Sequence, residues 1–241
     1  MNRIFYIQII LTIAFVTVVA NNGIAEENQR EQLEKSLASL NDLISDKPTR
    51  YHHDRAELHF RLGNFKESIE DYDTAVKFGW PHDDNSCWER GLAQYYGGDF
   101  KGGKEQFTRY HRVGALDIEN GIWRLLCVAE DEGIKTAQET VIGYPHRVRP
   151  PFPELLALYL GKGKPEEVIQ EAKNGVTSEQ ELTVNLFNAH YYLGKYFEIL
   201  DEKQLALTHF EKALTHRIPH FMYACAEVDA TRLREVAVHK P

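Results

Sequence analysis

Histidine and cysteine are the side chains here whose chemistry would matter most if they converged. The chain holds eleven histidines and three cysteines in 241 residues. No H-E-x-x-H occurs, and no cysteine–histidine spacing of a known zinc type occurs either, so no metal is predicted. His52, His53 and His59 fall in one helical stretch, and His216 and His220 are four apart with Pro219 between them. Cys87, Cys127 and Cys225 lie far apart without a C-x-x-C. They are expected to be buried thiols acting as small apolar groups, with a Cys127–Cys225 bridge as the alternative in an oxidising compartment. Gly161-Lys162-Gly163-Lys164 lacks the G-x-x-x-x-G-K-[ST] spacing and a preceding strand, so it reads as a turn rather than a phosphate loop. No G-x-S-x-G is present, and the acid pairs Asp83-Asp84 and Glu166-Glu167 suit helix starts, where carboxylates complement the helix dipole. These residues do not form a catalytic constellation. The expectation is a non-enzyme with no cofactor and no small-molecule substrate.

Composition bounds the partner class. A formal net charge of −8 argues against nucleic acid, which normally meets a basic patch. The 43% hydrophobic and 27% charged content is that of a folded protein. Residues 1–25 carry Arg3, an apolar run from Ile4 to Ala20 and small residues at Gly23 and Ala25. That is the pattern of a secretory signal peptide, with an uncleaved anchor as the alternative. The protein is therefore expected to be exported, periplasmic or secreted.

Beyond residue 25 the chain reads as helix pairs, an all-α array. Leu33, Leu37, Leu40 and Ile44 make one helical stripe. Helices are predicted over Arg50–Leu62 and Phe65–Phe78, Trp88–Tyr96 and Phe100–Val113, and Leu182–Leu200 and Gln204–His216. Between them, Ile118–Ala129, Phe152–Leu160 and Pro165–Ala172 are helical without the repeat. Gly63, Ser68, Tyr72 and Ala75 recur as Gly98, Gly103, Phe107 and Tyr110, always 35 residues later, and Asp201, Ala206, Phe210 and Ala213 keep the same internal spacing. A period near 34 residues marks helix–turn–helix repeats. Where helix B crosses helix A, residues 68, 103 and 206 must be small, and the ring one turn later fills the space between repeats.

On these residues the chain resembles the tetratricopeptide repeat (TPR) family. Leu193-Gly194, Phe197, Ala206, Phe210, Ala213 and Pro219 match best; Arg55-Ala56, His59, Phe65, Ser68, Tyr72, Ala75 and Pro81 form a first copy, and Arg90-Gly91, Phe100, Gly103 and Phe107 a second. The departures are Cys87 where the family has tryptophan, Tyr110 for a small residue, Asp201 for a turn glycine, and Gly102, for which no packing reason is apparent. The resemblance implies a TPR-type solenoid of antiparallel helix pairs: a capping helix over 26–47, two repeats over 48–115, degenerate hairpins over 116–180, and a final repeat with a capping helix over 181–241. The order of elements, with Arg90 to Gly98 and Tyr192 to Tyr196, is similar to envelope adaptors of the NlpI type. Those adaptors dimerise and gather cell-wall hydrolases and proteases, but their lipid-anchor cysteine is missing here.

The family resemblance also implies a concave groove lined by the first helix of each pair. Its predicted lining is His53, Glu57, Phe60, Arg61, Trp88, Leu92, Tyr95, Tyr96, Tyr191 and Lys195. Aromatics and arginine are enriched at the energetic centres of interfaces, and such a groove suits an extended or helical peptide. The alternative is that these aromatics pack on the N-terminal helix or at a homodimer interface. The family's Lys/Asn arrangement for C-terminal carboxylates is absent, with His53 and Glu57 at two of its positions. If the register is right, Ala206→Leu overpacks a helix crossing by about 1–3 kcal/mol. The expected result is a lower melting temperature; an unchanged melting curve contradicts the register.

Overall fold

The turns decide where the helices stop. Gly63, Gly98 and Asp201 adopt left-handed backbone, with φ of 78°, 78° and 60°. A residue in that conformation closes a helix and reverses the chain, so each ends the first helix of a pair. Asp201 thus takes the backbone geometry of the glycine it replaces, which aspartate tolerates better than most side chains. The computed structural model describes residues 27–44, 48–80, 83–112, 117–141 and 149–238. The expected targeting segment and the proline at position 81 lie outside them.

Residues 27–44 form helix α1. There follow α2 (Pro48–Arg61) with α3 (Phe65–Lys77), α4 (Trp88–Tyr96) with α5 (Phe100–Tyr110), and α6 (Ile118–Glu132) with the short α7 (Ile134–Glu139). Next come α8 (Phe152–Tyr159) with α9 (Pro165–Glu171), α10 (Glu179–Ile199) with α11 (Lys203–Leu214), and α12 (Phe221–Val238). No strand occurs among the described residues. The architecture is an all-α array of antiparallel helix pairs. None of the described helices is long and apolar enough to cross a membrane.

The small-residue register holds in space. Ser68 and Ala206 are fully buried, and Ser68 Oγ donates to the carbonyl of Ala56 at 2.8 Å. A Cβ on Gly103 would lie 2.8 Å from Cys127 Sγ and 3.3 Å from the carbonyl oxygen of Gly91. A second small position emerges sixteen residues before each aromatic: Ala56 before Tyr72, Gly91 before Phe107, Gly194 before Phe210. A Cβ on Gly91 would meet the Phe107 ring at 2.8 Å, and one on Gly194 would meet the Phe210 ring at 2.5 Å. Each ring of the second helix is thus laid on a bare stretch of the first. Gly102 also has a reason. Asp99 caps α5 by accepting from the Gly102 N–H at 3.0 Å, and a Cβ there would sit 2.1 Å from the Asp99 carboxylate.

Trp123 on α6 stands at the centre of the core. Tyr95, Tyr96, Phe107, Tyr191 and Tyr192 surround it, with ring centroids 5.2 to 6.3 Å away. Its indole N–H donates to Tyr192 Oη at 3.0 Å, and Tyr192 in turn donates to Glu119 at 2.6 Å. So the only polar atom of the buried indole is satisfied, as burial requires. Cys87, Cys127 and Cys225 are free and buried, so the alternative Cys127–Cys225 bridge is not formed. Burial pushes the Cys87 thiol up to about 12, and a thiol held that high is a poor nucleophile.

Gly194→Ala tests the crossing directly. Alanine improves helix propensity by about 1 kcal/mol, but overpacking against Phe210 costs about 1–3 kcal/mol. The net expectation is a lower urea midpoint with the slope unchanged; a higher midpoint contradicts the contact.

Candidate functional site

The concave face is where the predicted groove residues converge, and most of it is already occupied. Phe60, Leu92, Tyr95, Tyr191 and Lys195 are buried. The helix that covers this face is α12, expected only to cap the end of the array. Phe221 packs on Phe60 at 4.9 Å and on Trp88 at 5.8 Å between ring centroids. Leu92 and Tyr95 sit deeper, within the core between helices. These five side chains are thus corrected from partner-facing to core. The physical reason is that a curved array with an apolar inner face buries more surface when its own last helix folds into it.

A four-charge cluster holds α12 there. Lys195 on α10 is 1% exposed, and its Nζ lies 2.7 Å from Glu198 and 3.3 Å from Asp229, which is itself fully buried on α12. Arg232 donates to Asp229 at 3.1 Å and also pairs with Glu198. Tyr96 Oη donates to the second oxygen of Asp229 at 2.6 Å and lies 3.1 Å from Tyr191 Oη. The Lys195 ammonium also stands over the rings of Tyr95 and Tyr96, at 4.7 and 5.1 Å, which adds cation–π attraction. Burial alone would pull the Lys195 ammonium down, but Asp229 and Glu198 outweigh it and hold its pKa above the usual lysine value. Burial likewise opposes the Glu198 carboxylate, yet Lys195 and Arg232 keep it below the usual range. Two cations and two carboxylates pair here, as buried charge requires, although burial still raises the Asp229 carboxyl above its ordinary value.

The residues left partly open are at the mouth of the face, where α2, α4 and the start of α12 meet. His53 Nε2 lies 3.9 Å from Glu89 on α4. Glu57 pairs with Arg61 at 3.0 Å, and Arg61 reaches Glu227 of α12 at 3.9 Å. Trp88 stacks on His220 at 5.8 Å, and Trp80, 40% exposed, stands edge-on to His53 at 6.4 Å. Tyr72 Oη, buried behind His53, has no hydrogen-bond partner among the described residues. Burial, with Glu57 adding to it, lifts the Glu89 carboxyl to about 7, while burial holds His53 below its ordinary value and hence neutral near pH 7.

Sequence reasoning placed His53, Glu57, Arg61 and Trp88 on this surface but missed Trp80, Glu89, His220 and Glu227. It also missed Glu198, Asp229 and Arg232. A signal existed for Asp229, an acid set among Cys225, Ala226, Ala230 and Leu233 on an apolar helix face, which demands a buried cation.

A second titratable group lies between α10 and α11. His190 and His209 approach to 3.1 Å between their Nδ1 atoms, and His216 stacks parallel to His190 at 6.3 Å. Burial, with His209 and Lys212 adding to it, lowers His190 to about 4. His209 is lowered to about 4 chiefly by burial. No group of three histidine, cysteine or acidic residues among those described could hold a metal ion.

No family model matches the chain. It is similar to the crystal structure of a tetratricopeptide repeat protein from Parabacteroides merdae, at 15% identity and a TM-score of 0.45, over 86% of this chain and 80% of that one.

Two predictions follow from the charges. Asp229→Ala leaves the buried Lys195 and the part-exposed Arg232 sharing one carboxylate and takes one partner from the Tyr96 hydroxyl, so it should cost about 3–5 kcal/mol in urea denaturation. Glu211→Ala removes a pair with Arg234 on the surface and should cost under about 1 kcal/mol; equal losses contradict the buried cluster. For the histidines, the unfolded chain titrates near 6.5 and the folded one near 4. The unfolded state therefore binds more protons between those values. Stability should be full above pH 6.5 and fall by about 1–2 kcal/mol toward pH 4, after allowance for their partial exposure. The same titration of His209→Gln should show a smaller fall; an identical fall contradicts the assignment.

Proposed function

We infer that this protein is an exported, non-catalytic scaffold that binds a protein or peptide partner through the mouth of its concave face. The observation that carries this is the contrast within that face. Its floor is sealed by α12, while Trp80, Trp88, His53, Glu57 and Arg61 at the mouth stay partly exposed. Tryptophan is among the residues that dominate binding energy in protein interfaces. Residues 1–25 supply the export signal. The partners are hydrolases or proteases of the cell envelope, in keeping with the resemblance to envelope adaptors.

A specific observation favours a second reading, a homodimer. Leu33, Leu37, Leu40 and Ile44 of α1 are only half covered, and Leu43 beside them is exposed. A helix with one incompletely buried apolar stripe and an otherwise exposed surface is suited to pairing with its own copy. Light scattering over a range of concentrations distinguishes an obligate dimer from a monomeric scaffold.

The test of the scaffold uses His53→Ala with Glu57→Ala, two partly exposed positions whose loss leaves the core intact. Capture from an envelope extract on the folded double variant should recover partners at least tenfold less than wild type. Equal recovery contradicts the assignment of the mouth.

A further inference from the structure

The mouth has a chemistry more specific than exposure. Its carboxylates come from three elements: Glu57 from α2, Glu89 from α4 and Glu227 from α12. Asp54 also lies close enough to act on His53. Among the described residues the cation paired with Glu57 and Glu227 is Arg61, and His53 is held neutral. Arg61 itself reaches toward both Glu57 and Glu227, at 3.0 and 3.9 Å, which shows that a guanidinium fits between carboxylates here. Glu89 has the neutral imidazole of His53 beside it, at 3.9 Å, and pairs with no cation among the described residues. Its carboxyl is crowded by Glu57 and raised by burial, so a cation arriving between the two would relieve the repulsion. The indoles of Trp80, edge-on to His53 at 6.4 Å, and Trp88, stacked on His220 at 5.8 Å, lie at the same mouth, and an indole face is the best ring for a cation or for the methylene stem of a long basic side chain.

We propose that the mouth recognises a basic segment of a partner protein, seating a lysine or arginine side chain between Glu57 and Glu89 and its apolar stem against Trp80 and Trp88. This rests on the scaffold reading and names the chemistry of its partner. The complementarity has the opposite sign to carboxylate capture, for which the mouth offers too few cations. A chain with a net charge of −8 steers basic partners toward itself in general, so the decisive evidence is local rather than global.

The experiment follows the fluorescence anisotropy of a dye-labelled, acetylated tetra-arginine amide titrated with the full mature chain at low salt, with a tetra-glutamate peptide as control. Wild type should bind the arginine peptide saturably and the glutamate peptide not at all. Glu57→Gln with Glu89→Gln should weaken binding at least tenfold, and Glu57→Gln alone, at a partly exposed position, by about threefold if the double variant folds poorly. Arg61→Gln, which removes the competing cation, should tighten it by at least threefold. Glu67→Gln with Glu70→Gln on the outer helix α3, and Lys66→Gln beside them, set the size of the general charge effect and should each change binding less than twofold. Equal effects from the inner and outer substitutions, or absence of saturable binding, overturn the proposal. The scaffold reading is separate: if partner capture depends on His53 and Glu57 while the arginine peptide ignores them, the surface binds a partner of other chemistry.

Discussion

An aromatic ring laid on a residue with almost no side chain is the contact from which everything else in this molecule is built. Phe107 over Gly91 and Phe210 over Gly194 bring paired helices together closely enough that a single added carbon would collide. Tyr72 over Ala56 repeats the arrangement, with both residues fully buried. Close packing of this kind is intolerant of added volume. Because Phe107 also reaches Trp123 of the next pair, at 6.3 Å between ring centroids, the contact sets the step from that hairpin to the next. The step, repeated, curves the array and produces an inner face lined by α2, α4, α6 and α10.

An inner face rich in tyrosine and phenylalanine cannot remain open to water without cost, and the chain closes it with α12. The closure is polar as well as apolar. Lys195 and Asp229 in the interior pair with Glu198 and with Arg232 at the surface, and the Tyr96 hydroxyl completes Asp229. Apolar burial would accept α12 in several sliding positions, whereas charges that must meet accept one. Specificity of docking is the best-attested use of buried charge. What remains accessible is the rim, and the rim is acidic and framed by tryptophan. Fold and binding surface are thus linked: the helix that seals the floor also contributes Glu227 to the mouth, and His220 immediately precedes it.

Much of the fold was legible along the chain because its determinants are local. Periodicity of apolar residues, the turns at Gly63 and Gly98, and the small positions 68, 103 and 206 placed α2 to α5, α10 and α11 within a few residues. The six-residue α7 escaped because so short an element carries less than two turns of pattern. Gly102 looked unexplained because its reason is a cap, the Asp99 carboxylate folded over it, rather than a packing contact. The lining of the concave face was legible as a set of positions but not as a surface. Whether Tyr96 meets a partner or Asp229 depends on a contact spanning 133 positions, and no window of local pattern contains that distance. Glu89 was missed for a similar reason: its neighbours Glu57 and His53 belong to another hairpin.

Native-state hydrogen exchange read along α12 addresses the central claim most directly. If the last helix is locked into the concave face by the buried charges, the amides from Cys225 to Leu233 should exchange as slowly as those of α10, through global unfolding alone. Exchange of those amides orders of magnitude faster than α10, as for a fraying terminal helix, would contradict it and return the inner face to solvent.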